Sequence, residues 1–365
     1  MHQHSTAMNT TFRTLLPSVL LIQSLAAAAE PARLDRDDLL LFHDEKRAVQ
    51  RASSIDDWLK RRSEVLAGMQ SVMGPLPGAA KRCPLDMKVE EEFDGGDYLR
   101  RRITYASEPG GRASAFLMLP KEALAKDAKF PAVLCLHPTN KTAGNRTVVE
   151  AGVAANRTYA LELTKRGYVT LAPAYPHLAD YEPDLKGLGY ASGTMKAVWD
   201  NVRGLDLLES LPFVKAGGFG AIGHSLGGHN AIFTTVFDER IKVVVSSCGL
   251  DSFMDYYGGN IKGWTQERYM PRLGEYLDRV AEVPFDFQEL IGAIAPRHVF
   301  ISAPTGDSNF KWQSVDRIGK AAAPIFELYG ATDRLRIIHP ECPHDFPPEV
   351  REESYAWLDS VLKAR

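Results

Sequence analysis

The segment Gly223-His224-Ser225-Leu226-Gly227 constrains the fold more than any other part of this 365-residue chain. It follows an apolar run, Phe219-Gly220-Ala221-Ile222, and precedes a stretch from Gly228 to Val236 that reads as a helix. A serine on so abrupt a strand-to-helix turn takes a strained backbone geometry, and glycines must flank it because strand and helix approach closely there. The turn lifts the hydroxyl above the sheet edge, beside the positive end of the following helix. Ser225 is therefore the candidate nucleophile.

Such a turn needs a sheet, and the chain supplies the strands. Short apolar runs recur at Pro131 to Leu136, Tyr168 to Ala172, Phe219 to Ile222, Ile241 to Val245, His298 to Ile301 and Leu335 to Ile338. Between them lie amphipathic stretches, with Val198, Val202, Leu205 and Leu208 on one helical face and Tyr355, Leu358 and Val361 on another. This alternation predicts an α/β fold: a mostly parallel central sheet with helices on both faces. Alternating residues and Gly-Gly turns between Met87 and Leu119 predict antiparallel N-terminal strands ahead of it. A helical pattern runs from Asp35 to Met73, with a capping box at Ser54 and Asp57 and a stop at Gly74-Pro75.

The expected organisation is a signal peptide over residues 1–29, a helical leader over 30–85, and a catalytic domain over 86–365 with a cap-like insertion at 249–296. The first segment has one firm positive charge, Arg13, an apolar run from Leu15 to Ile22 and four alanines before Glu30. Its apolar centre falls short of the roughly 20 residues that span a bilayer. Export to the periplasm or the exterior, without stable membrane association, is the expectation. The insertion is rich in aromatic residues, of which Trp264 and Tyr269 are candidate substrate-cleft residues. Lys+Arg 43 against Asp+Glu 46 gives a formal charge of −3, which excludes a global attraction to nucleic acid.

A serine hydroxyl attacks only when a base takes its proton, so an acid and a histidine must follow Ser225 in the chain. Asp307 lies on the turn Pro304 to Phe310 after the fifth apolar run and is the preferred acid, with Asp251 and Asp333 competing. His344 follows the last run and is the preferred base. His224, His229 and His339 fit worse, being adjacent to the nucleophile, on its helix, and directly at a strand end. The oxyanion of a tetrahedral intermediate needs two backbone N–H groups. Leu226 supplies one; Thr139, in the loop His137-Pro138-Thr139-Asn140, is the first choice for the other, with Asn140 second.

No cofactor or metal is expected. His339, Cys342 and His344 stand three and two residues apart in a proline-broken loop, which matches no familiar zinc spacing. Cys83, Cys135, Cys248 and Cys342 are too few for a disulfide scaffold, although export permits one or two bridges in three possible full pairings. Cys135 and Cys248 sit in apolar runs and read as buried thiols.

Gly223 to Gly228, Asp307, His344 and the helix Trp199 to Asp206 together resemble the α/β-hydrolase superfamily, and within it the dienelactone-hydrolase and acetyl-xylan-esterase-like group with serine nucleophiles. The resemblance covers roughly residues 87–365. It implies an α/β-hydrolase fold, a serine esterase, and substrates such as acetylated or otherwise esterified plant polysaccharides. Two departures open the choice of substrate. Dienelactone hydrolases carry cysteine where Ser225 stands, and lipase-like members have a glycine-rich loop where this chain has His137-Pro138-Thr139. A peptidase related to prolyl oligopeptidases would need a propeller larger than the 60 or so residues before the strands. A non-catalytic binding module usually lacks a triad member, and all three candidates are present here.

Overall fold

A computed structural model describes residues 1–2 and 33–364, so the leader expected over residues 1–29 lies outside the described residues apart from its first two. The described chain enters through a short antiparallel hairpin, β1 (Leu41–His43) and β2 (Val49–Arg51), and continues into helix α1 (Ile55–Met73). The helical pattern anticipated from Asp35 therefore starts only at Ile55. Leu39 and Phe42, buried residues of that segment, belong to the chain leading into the hairpin and to β1. Ser54 sets the boundary, its hydroxyl accepting the Asp57 N–H at 3.2 Å, and Gly74 ends the helix at φ 91°.

Three strands come next, β3 (Lys88–Asp94), β4 (Tyr98–Glu108) and β5 (Gly111–Pro120). The remaining elements alternate: β6 (Ala132–Leu136), α2 (Arg146–Val149), α3 (Tyr159–Lys165), β7 (Val169–Pro173), α4 (Gly193–Ser210), β8 (Phe219–His224), α5 (Leu226–Phe237), β9 (Ile241–Ser247), α6 (Phe287–Ile294), β10 (His298–Ser302), α7 (Trp312–Leu328), β11 (Leu335–Ile338) and α8 (Pro348–Leu362). Nine strands form one sheet in the order β11-β10-β9-β8-β6-β7-β5-β4-β3. Pairing is parallel from β11 through β7 and antiparallel from there to β3.

The period of two along a strand divides the sheet's residues between two cores. Ala132, Leu134 and Leu136 of β6 face one side with Val244 and Val299, where α1, α4, α5, α6 and α7 contribute. Val133 and Cys135 face the other with Ile222, Val243, Val245 and Phe300, against α3 and α8. Both faces being covered, the central strands are continuous apolar runs rather than alternating ones. The chain leaves β6 toward β7 and returns on its other side as β8, so the C-terminal ends of β6 and β8 flank the topological switch point.

A buried ionic cluster ties α4 to the antiparallel strands. Lys196 is fully buried, with Nζ 2.6 Å from Asp200 and 3.0 Å from Glu108, and it also donates to the Ser107 hydroxyl. Tyr181 and Tyr190 donate to the same two carboxylates. Removing one partner of such a set strands the opposite charge, which costs about 3–5 kcal/mol. Lys196→Met is therefore expected to lower the free energy of unfolding in urea by that amount; a loss under about 1 kcal/mol would show that the cluster does not hold α4 in place.

Candidate active site

Ser225 stands between β8 and α5 with φ 54° and ψ −122°, a left-handed backbone that a non-glycine residue adopts only when its surroundings enforce it. Its own N–H donates to the Ser247 carbonyl of β9 at 2.8 Å. The flanking glycines are steric requirements. A Cβ on Gly227 would lie 1.9 Å from the Leu136 carbonyl oxygen, and one on Gly223 would lie 2.2 Å from the Gly227 backbone. Leu226 is the first residue of α5, where backbone N–H groups have no partner within the helix.

The structure brings His344 and Asp307 together. Nδ1 of His344 lies 2.8 Å from Oδ2 of Asp307, and Oδ1 of Asp307 accepts the N–H groups of Asn309 (2.7 Å) and Phe310 (3.1 Å). Burial pushes the Asp307 carboxyl up, but the bond from His344 and the two backbone donors more than offset it, leaving its pKa lowered. An ionised Asp307 fixes the proton on Nδ1 and leaves Nε2 of His344 to accept another. The His344 ring sits 4.8 Å from that of His224, the residue beside Ser225.

The loop bearing His344 is clamped from α3's side. Arg157 donates to the His344 carbonyl at 3.3 Å and to Asp345 at 2.5 Å, Asn156 donates to Asp345 at 2.6 Å, and Arg351 donates to the Phe346 carbonyl at 2.6 Å. Cys248 adds a thiol packed against this pair, donating to the Asp345 carbonyl at 3.4 Å from a backbone at φ 47°. Ligating atoms of Cys248, Asp307 and His344 lie within 4.8 Å of one another, the last two hydrogen-bonded and the thiol tied to the Asp345 carbonyl. Arg157, Cys248 and Phe310 carried no signal of their own, because their partners are distant in sequence or their residue types are common in cores.

Four other histidines, His137, His224, His229 and His339, are hydrogen-bonded or held neutral by burial. His224 shares a hydrogen bond with Ser247 at 3.1 Å, and burial, then Arg157 and His344, hold its pKa well below the usual value. His229, on α5, is lowered to about 3 by burial and packs 4.9 Å from Trp264. His339 pairs with the Ala303 carbonyl. His137 pins the loop after β6: Nε2 accepts the Tyr175 N–H at 3.0 Å, so Nδ1 holds the proton bonded to the Pro138 carbonyl, and burial lowers its pKa to about 4.

Past His137 the loop exposes Thr139, whose hydroxyl shares a hydrogen bond with the Tyr269 hydroxyl at 3.2 Å. The Asn140 side chain is taken up by the N–H groups of Thr142 and Ala143. Trp264 lies in the core, only 5% exposed, among His229, Phe253, Tyr256 and Phe287. Among the described residues, its indole nitrogen and Nε2 of His229 are buried without a partner.

Of the competing acids, Asp333 is exposed in the turn before β11. Asp251 is buried and accepts the Lys311 N–H at the start of α7; burial raises its pKa to about 6. A carboxyl raised from 3.8 in the folded state gives stability that is full below pH 4 and is lost as pH rises through 6, amounting to about 3 kcal/mol at most. Asp251→Asn removes that dependence. Denaturant titrations should find the variant more stable than the parent at pH 8 and nearly equal at pH 4; a gap that does not change with pH would contradict the assignment.

Comparison with known proteins bears on the fold and on the class of relatives. The family description "Glucuronyl esterase, fungi" matches residues 184–330. The chain is 26% identical over 262 residues to a Bacillus subtilis (strain 168) protein named as a hydrolase, YtaP, covering 69% of this chain and 84% of that one. It is 25% identical over 203 residues to 4-O-methyl-glucuronoyl methylesterase of Hypocrea jecorina (strain QM6a), covering 49% of this chain but 43% of that relative, less than half its length. By structure it is similar to a glucuronoyl esterase from Solibacter usitatus, with TM-score 0.73, 19% identity, and coverage of 91% and 99% of the two chains. By fold the chain is similar to glucuronoyl esterases, and the family description and the methylesterase that it matches in part are of carboxylic ester hydrolases. A Bacteroides fragilis protein described as an acetyl xylan esterase is structurally similar as well, with TM-score 0.58, 16% identity, and coverage of 85% and 89% of the two chains.

Proposed function

We propose that the chain is an exported serine esterase acting on polysaccharide esters, with the ester carried on the carboxyl group of a uronic acid. The observation that carries the mechanism is the His344–Asp307 pair at 2.8 Å, its imidazole 4.8 Å from the ring of His224, the residue before a serine held in a strained turn. Nε2 of His344 takes the Ser225 proton as the hydroxyl oxygen attacks the ester carbonyl. The N–H groups of Leu226 and Thr139 receive the oxyanion. Imidazolium, stabilised by Asp307, returns the proton to the departing alcohol, and water then releases the acid from Ser225 by the same steps.

The uronic acid reading draws on the relatives: one is named a 4-O-methyl-glucuronoyl methylesterase and another a glucuronoyl esterase. Export rests on the leader read over residues 1–29. Among the described residues no helix is long and apolar enough to cross a membrane.

The test is hydrolysis of a methyl glucuronate ester beside acetylated xylan. The account expects preference for the uronate ester and a fall in kcat on the order of 10⁵-fold in Ser225→Ala. Preference for acetyl groups would replace the substrate assignment, and a variant keeping a tenth of the activity would remove Ser225 from the mechanism.

A further inference from the structure

We propose that Tyr257 is a stacking platform for a neutral pyranose of the polysaccharide main chain, next to the unit that carries the ester. This inference rests on the polysaccharide-ester reading above. Tyr257 is 60% exposed, whereas neighbouring aromatic residues of the 249–296 segment, Phe253, Trp264, Phe285 and Phe287, are buried. Its backbone lies in the left-handed region, φ 45° and ψ 36°, which a bulky side chain rarely adopts. Gly258 and Gly259 follow at φ 70° and 89°, so the turn presents the ring outward by means of three consecutive positive-φ residues. Strain of this kind in a residue with no buried packing role marks a functional position.

The ring is also held. Its hydroxyl donates to Asn309 Oδ1 at 3.1 Å, and it packs perpendicular to Tyr256 with centroids 4.7 Å apart and planes at 89°. Asn309 lies two residues past Asp307 and donates its own N–H to that carboxylate, so the platform is fastened to the loop that orients His344. Tyr256 continues inward to Phe310 at 5.8 Å, and Phe310 to His344 at 5.9 Å. An exposed aromatic face thus stands at a fixed offset from the reacting centre. Such a face suits a pyranose, whose axial C–H groups pack on the π surface while equatorial hydroxyl groups stay in water. A tyrosine with its hydroxyl tied loses little rotamer freedom on binding.

The experiment compares methyl esters of glucuronic acid borne on a xylo-oligosaccharide and on the free monosaccharide, with a benzyl monosaccharide ester as a third substrate. Tyr257→Ala is expected to raise KM for the oligosaccharide about tenfold with kcat within twofold, and to leave both monosaccharide esters unchanged. Tyr257→Phe and Tyr257→Trp should retain the parental KM within about threefold, since each keeps a face. An unchanged KM on the oligosaccharide overturns the platform while the esterase reading stands. A loss confined to the benzyl ester assigns the ring to the alcohol instead and overturns the proposal. Equal losses of kcat on all three substrates reduce Tyr257 to a structural role. If the parent cleaves none of the sugar esters, the polysaccharide reading fails and the platform falls with it.

Discussion

The approach of Gly227 to the Leu136 carbonyl is the contact on which the rest of the site depends. It leaves no room for a Cβ, and it joins the first turn of α5 to the end of β6. With β8 paired beside β6, the residue between strand and helix has to turn through positive φ, and Ser225 occupies that position. The strain is sustained by the surrounding sheet, where the Ser225 N–H is bonded to β9 and every central strand is buried on both faces. A residue held this way is positioned by backbone packing rather than by its own side chain, as the proposed nucleophile requires.

The proposed base and acid are positioned by different means. Asp307 and His344 stand on loops after β10 and β11, and neither loop is regular. Asp307 is fixed by two N–H groups of its own turn, whereas His344 depends on Arg157, Asn156 and Arg351, which lie on or beside α3 and α8. The site therefore uses both faces of the sheet: α5 lies in one core and the clamp on the His344 loop stands over the other.

Much of this was legible in the sequence because it is local. The six parallel strands announce themselves as apolar runs, and Ser225, Asp307 and His344 each follow one of them, in a turn whose residue types suit it. The helix from Asp35 was not borne out, because Leu39 and Phe42 extend the apolar pattern upstream although the Ser54 cap and a hairpin interrupt it. Trp264 read as a candidate substrate-cleft residue, and the fold buries it in a cluster of rings drawn from α5, α6 and the turns between β9 and α6. Arg157 was invisible for a different reason: its partners lie nearly 190 residues away, and no spacing rule connects them. Tyr257 carries no mark of its own within the aromatic-rich insertion, since its positive φ belongs to the folded turn.

The central claim is that this elbow makes Ser225 a nucleophile activated by His344 and Asp307. Reaction with a fluorophosphonate followed by peptide mass spectrometry tests it most directly. The account predicts one equivalent bound per chain, on Ser225, with labelling slowed on the order of 10³-fold or more in His344→Ala. Labelling at another residue, or at the parental rate in that variant, would contradict it.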